Sequence, residues 1–252
     1  MARRRLKPAQ FDERMTLVEH LDELRNRIIF SGIFLTLAIV FCFWQEDALL
    51  EIANEPLPAG FEPLTFSPTE PFFTTVKLSV YGGILIALPI LLFQLYAFVL
   101  PAFAPEEKRT LLPLIISVPI LFIGGALFAY AVVMPAALDF LLSFNEDSFN
   151  IEVRASEYYG FFMLTLIAVG VLFQIPVAVL SVCRLGIVTP EQLAHNRRYA
   201  VLVIAVAAML LPGTDPVTML ISMLPLYLLF EFSLLLAKRF GQPPDEADSP
   251  GV

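Results

Sequence analysis

Along this chain, apolar positions gather into six long runs separated by short polar ones. The runs cover roughly Ile28–Trp44, Phe72–Leu100, Leu111–Phe144, Tyr158–Val182, Tyr199–Leu211 and Val217–Ala237. Apolar stretches near 20 residues match the hydrocarbon thickness of a bilayer. Inside lipid every backbone N–H and C=O must be satisfied within its own segment, which makes each run a helix. The in/out alternation of a membrane barrel is absent. The pattern predicts an all-α integral membrane protein with six transmembrane helices, bent by the internal prolines Pro89, Pro113, Pro119, Pro135, Pro176 and Pro225.

The last two spans are expected to be short. Tyr199–Leu211 is some 13 residues, or roughly 20 Å of helix, against a core of about 30 Å. "LLPGTDP" (Leu210–Pro216) then turns the chain sharply. Either the bilayer thins there, or the helix continues upstream through Asn196–Arg198 with snorkelling arginines.

Before the first span, the helix is expected to start at Thr16, where Thr16 and Glu19 have capping-box spacing. Leu17, Leu21, Leu24 and Ile28 recur at helical spacing and make an apolar stripe. Glu19, Asp22 and Glu23 share a face beside it, and Glu23 can pair with Arg27 four residues on. Read from spacing alone, this is equally a solvated amphipathic helix at a membrane surface.

Composition agrees with the pattern. The chain has 252 residues, is 58% hydrophobic and only 16% charged, and its mean hydropathy is +0.76. Little is left for a soluble domain. The expected organisation is a basic arm at 1–14, one six-helix domain at 15–239 and a disordered Pro-rich tail at 240–252.

Net charge is −8, but its placement says more. Fourteen of the 16 basic residues fall before span one or in the segments after spans two, four and six; only Lys77 and Arg154 lie on the other side. The positive-inside rule then puts both termini in the cytoplasm of a cell-membrane protein. The first outer segment, Gln45 to Pro71, is acidic and carries five prolines. It is expected to be stiff and to cap the bundle. The first apolar run starts only at Ile28 and ends without an A-x-A-like site, so it is read as a retained span, not a cleavable leader.

Candidate chemistry is sparse. The two histidines, His20 and His195, lie outside the spans and read as solvated or locally bonded. No H-E-x-x-H, G-x-S-x-G, P-loop or G-x-G-x-x-G occurs. Cys42 and Cys183 do not suggest a disulfide or metal site, and no cofactor is expected. The basic residues form no nucleic-acid surface. A small-solute or ion transporter would need ionisable groups at mid-membrane, and apart from Glu231, near the inner end of span six, few candidates exist. What remains is a pair of acidic spots on the basic side, the Glu19–Glu23 face and Glu106–Glu107 in "PAFAPEEKR". Acids in a first helical turn can simply favour the dipole. They equally suit a ligand with paired arginines, whose planar forks match carboxylates.

Several stretches carry a resemblance. "HLDELRNR" (His20–Arg27), "SPTEPFFTTVKLS" (Ser67–Ser79), "QLYAFVLPAFAPEEKR" (Gln94–Arg109), "FQIPVA" (Phe173–Ala178) and "GIVTPEQLAHNRRYA" (Gly186–Ala200) occur in that order. Over about Thr16 to Arg239 the chain resembles the TatC family, the membrane receptor of the twin-arginine protein translocase. The resemblance implies binding of signal peptides with consecutive arginines and export of folded proteins driven by the proton-motive force. It implies that Glu23, with Leu24 and Arg25 beside it, and Glu107 face the arginine pair, with Phe98 nearby. It matches Pro56 and Asp215 to the outer cap and last outer turn, and Met209 and Leu210 to a region associated with partner docking. Implied partners are TatA/TatB-type single-span subunits and further copies of the chain, all within membrane lipid. Many relatives carry an acid where this chain has Gln174. An ionised group there would cost about 2.5–3.5 kcal/mol on insertion scales, and glutamine cannot carry a proton. Its role is either a polar contact to a partner helix or a gap-filling bond within the bundle.

Overall fold

In the computed structural model, residues 17–99, 105–144, 146, 148, 150–184, 187–211 and 216–240 are described; at 17–19, 99, 105–115 and 240 the description is of backbone alone. Helix α1 (Leu17–Trp44) is followed by α2 (Glu46–Asn54) and α3 (Glu70–Val99). Next come α4 (Pro105–Phe128), a π-helical turn (Ala129–Val133) and α5 (Met134–Ser143). The chain continues with α6 (Ala155–Leu172), α7 (Ile175–Arg184), α8 (Pro190–His195), α9 (Arg197–Met209) and α10 (Pro216–Phe240). Among the described residues, five stretches are long and apolar enough to cross a membrane: His20–Trp44, Glu70–Phe98, Ile116–Ser143, Ala155–Arg184 and Pro216–Arg239. With this composition the chain is a multi-pass membrane protein.

The expected short fifth segment is the 13-residue α9, which falls outside those five. The expectation of a short sixth helix is corrected. Helix α10 has 25 residues. It runs unbroken through Pro225 and extends at its end to Lys238 and Arg239, whose long stems can lie along apolar surface while the charges reach water.

Prolines act unequally. Helix α3 passes through Pro89 without interruption. Near Pro135 the third span widens into the π turn, where Met134 N–H bonds back to Ala129 C=O; such turns absorb a missing donor inside a helix. Pro176 cannot donate to Leu172 C=O, and the fourth span breaks at Phe173 and Gln174.

Two close crossings set the layers. A Cβ on Gly83 of α3 would lie 2.5 Å from Ile39 Cγ1 and 2.7 Å from Ile39 Cα of α1. A Cβ on Gly125 of α4 would lie 2.6 Å from the Phe173 ring and 3.0 Å from Gly170 Cα. Small residues at these points let backbones approach as membrane helices prefer. The main core joins α2, α3, α5 and α6 through Ala53, Leu78, Met134, Leu138, Tyr158, Phe162 and Met163. A second cluster, Ile204, Leu226, Phe230 and Leu234, packs α9 on α10.

The Pro-rich segment after α1 does cap one end. It holds a helix the sequence pattern did not suggest, α2, whose last turn is bound by tyrosines. Tyr158 Oη donates to Ala53 C=O at 2.5 Å, Tyr130 Oη to Ile52 C=O at 3.2 Å and Tyr159 Oη to Asn54 Oδ1 at 3.0 Å. The first two satisfy backbone carbonyls that a helix end leaves without partners, and the third holds the Asn54 side chain. Further along, Leu64 N–H bonds to Val153 C=O at 2.8 Å and Ala155 N–H to Leu64 C=O at 2.9 Å. Buried Glu70 accepts from Arg154 Nε at 2.8 Å, Ser156 Oγ at 2.7 Å and Phe66 N–H at 2.9 Å. The Glu70 hydrogen bond, with its charge, raises the Arg154 pKa further above its already high value. Lys77 Nζ donates to Ser156 C=O at 3.1 Å. Thus Arg154 ties the acidic segment after α1 to the start of α6, and Lys77 ties α3 to that same start.

Candidate functional site at the α1–α3 junction

At the other, basic end, the start of α1 lies against the end of α3. The helices run antiparallel, so residue 20 meets residue 98 and residue 27 meets residue 94. His20, expected to be solvated or locally bonded, stacks on Phe98 with ring centroids 4.2 Å apart and planes 12° apart. About two turns further along α1, Arg27 bridges the helices. Its Nε and Nη2 both donate to Glu23 Oε1, at 2.9 and 2.5 Å. Its Nη1 donates to Gln94 Oε1 at 2.5 Å. The Glu23–Arg27 pair is the i,i+4 contact expected from spacing. The contact to Gln94 could not be read there, because it joins residues 67 apart. The side chains of Arg27 and Glu23 are 25% and 22% exposed.

Two hollows flank this bridge. One, of about 540 Å³, is lined by Asp22, Glu23, Asn26, Arg27, Phe30 and Gln94. Its lining carries two carboxylates and one guanidinium, a net single negative charge. The other, of about 360 Å³, is a mainly apolar groove that includes Leu24, Ile28, Leu35, Leu91, Leu95 and Phe98. Arg27 and Gln94 line both and form the wall between them.

The structure therefore brings Glu23, Leu24 and Phe98 together, while Arg25 is exposed and lines neither hollow. Glu107 lies in the first turn of α4; its side chain is outside the described residues. Asp215 is also outside them. Pro56 follows the end of α2. Met209 and Leu210, at the end of α9, are both exposed, Leu210 at 80%. Gln174 is 6% exposed and donates from Nε2 to Val118 C=O of α4 at 3.1 Å. Its bond is within the bundle, and its Oε1 has no partner among the described residues. Glu231, the acid expected near the inner end of the last span, is held by Arg197 Nη2 at 3.1 Å and by Tyr227 Oη at 2.8 Å.

Comparison with known proteins bears on what this junction serves. The family model for TatC, the Sec-independent protein translocase protein, matches residues 19–225. The chain belongs to the TatC family. It is 37% identical to the TatC protein of Carboxydothermus hydrogenoformans over 90% of this chain and 94% of that one. It is 36% identical to the TatC protein of Aquifex aeolicus, over 89% and 95% of the two chains. A crystal structure of the twin-arginine translocase receptor TatC superposes with a TM-score of 0.74 at 35% identity, covering 88% of this chain and 99% of that one. Membership makes the chain a component of the Sec-independent, twin-arginine protein translocase. Gln94 and Asn26 are the site residues that sequence reasoning missed; "QLYAFVLPAFAPEEKR" contained Gln94, but only the α1–α3 packing gives it a partner.

Proposed function

We propose that this TatC protein is the receptor subunit that docks paired-arginine signal peptides, at the end of the bundle that faces the cytoplasm. The observation that carries this reading is the acidic hollow at the α1–α3 junction, separated by a single side-chain wall from an apolar groove. A leader with arginines followed by apolar residues offers the matching order of chemistry. The hollow's net single negative charge accommodates one guanidinium; a second needs another acid, and Glu107 in the first turn of α4 is assigned that role.

Energetics require both hollows. A half-buried charge-assisted hydrogen bond contributes about 1.5–3 kcal/mol, so two arginines alone bind weakly, and apolar packing in the groove or in lipid adds the rest. The chain has no nucleotide-binding motif, and transport draws on the membrane gradient; a unit charge crossing 100 mV gains about 2.3 kcal/mol. The exposed end of α9, Met209 and Leu210, is the proposed contact for single-span TatA/TatB-type partners, Gln174 is assigned the gap-filling bond within the bundle, and Pro56 and Asp215 are assigned to the opposite face. A sixth membrane passage is assigned to α9, which leaves both termini in the cytoplasm of a plasma-membrane protein.

The test is photocrosslinking of a paired-arginine leader peptide to the membrane-embedded protein. Glu23→Ala and Glu107→Ala should each reduce crosslinking several-fold, and a paired-lysine peptide should crosslink poorly to the parent. Parent-level crosslinking in both variants, at normal membrane insertion, would refute the assignment.

A further inference from the structure

The carboxylate at the centre of the proposed docking site is already engaged. Arg27 places two N–H groups on Glu23 Oε1. Glu23 Oε2 is buried and, among the described residues, has no hydrogen-bond partner. The oxygen that meets a guanidinium in this structure is thus held by a guanidinium of the same helix. Such a group is always charged, and its planar fork fixes two donors at once. The same guanidinium reaches α3, where Nη1 contacts Gln94 Oε1 at 2.5 Å and Gln94 C=O at 3.5 Å. Arg27 therefore has two sets of acceptors, and the Gln94 set is independent of Glu23.

We propose that Arg27 is an internal stand-in for the ligand's arginine and a specificity-determining residue of this site. An arriving peptide guanidinium exchanges with it on Glu23, while Arg27 stays anchored on Gln94. The exchange is balanced for arginine, since one planar fork replaces another, bond for bond. It is unbalanced for lysine, whose ammonium is a compact point charge and cannot reproduce two coplanar donors on one oxygen. Discrimination between arginine and lysine then comes from what the ligand must displace, as well as from what it contacts; raising the cost for the wrong ligand is a general route to specificity. The proposal rests on the reading of Glu23 as a docking carboxylate.

The experiment measures binding of fluorescent paired-arginine and paired-lysine leader peptides to the full chain in lipid nanodiscs. Arg27→Gln removes the competitor. It should tighten arginine-peptide binding about tenfold, which is about 1.4 kcal/mol, and tighten lysine-peptide binding more, so that the preference for arginine falls at least fivefold. Arg27→Lys keeps the charge but holds Glu23 through a point charge; it should lower the arginine preference without weakening arginine binding. A purely structural Arg27 predicts the reverse, with weaker binding of both peptides and an unchanged ratio. Should Arg27→Gln fail to insert, the ratio in Arg27→Lys decides, and an unchanged ratio overturns the proposal. Glu23→Gln separates the two ideas. Parent-like arginine binding in that variant refutes the docking site itself; weakened binding there, with no gain in Arg27→Gln, refutes only the exchange.

Discussion

Replacing Gly83 with alanine tests how tightly the α1–α3 seam sets the site. The added Cβ would sit 2.5–2.7 Å from the side chain and backbone of Ile39. Ordinary carbon contacts lie at about 3.5–4.0 Å, so the helices must separate by roughly 1 Å at the crossing, and backbone atoms cannot swing aside. Overpacking of this kind costs about 1–3 kcal/mol. Against it stands the gain of about 0.5–1 kcal/mol from replacing glycine inside a helix. The net expectation is destabilisation by up to about 2 kcal/mol. Gly124→Ala on α4 is the control, because no described neighbour lies within 4 Å of its added Cβ; it should be neutral or stabilising. The assay is the thermal unfolding midpoint of both variants in one detergent, followed by leader-peptide affinity in nanodiscs. Gly83 is about 16 Å along α3 from Gln94 at 1.5 Å per residue, and a 1 Å splay exceeds the roughly 0.5 Å tolerance of a preorganised site. Gly83→Ala should therefore also weaken peptide binding. If Gly83→Ala is as stable as Gly124→Ala and binds normally, the seam does not position the site and the reasoning is wrong.

Tyr158→Phe should strand the Ala53 carbonyl, whose loss of a buried partner costs about 1–3 kcal/mol. Faster hydrogen exchange at Ala53 and its helix α2, with unchanged peptide binding, is the expected signature. At Gln174, the substitution to Leu removes a buried amide that has one bond and one unpartnered oxygen, so thermal stability should change by less than about 1 kcal/mol. Gln174→Glu should leave peptide binding intact; loss of binding in a correctly folded variant would move that position into the receptor surface.

Helices and their membrane character were legible in the sequence because they follow from local rules. A run of apolar residues must satisfy its backbone internally, and that constraint does not depend on neighbours. The Glu23–Arg27 pair was legible for the same reason, lying four residues apart on one helix. Irregularities were less so. Pro89 and Pro225 pass within continuous helices, whereas Pro176 accompanies a break and Pro135 a π turn. A proline removes a donor everywhere, but neighbouring packing decides whether the helix yields. Helix α2 was hidden within a proline-rich acidic segment, since tyrosines from 130, 158 and 159 supply its end contacts.

By itself, then, the amino-acid order determined a multi-span α-helical membrane protein, the segregation of its basic residues to one set of segments, and a family resemblance carried by contiguous motifs. Only the tertiary structure decided that Glu70 and Arg154, 84 residues apart, close the acidic end. It alone put Gln94 on the far side of Arg27 and His20 on Phe98. Those contacts depend on how closely α1 approaches α3, and that distance is set by what Gly83 lacks, a property of two helices meeting and not of either alone.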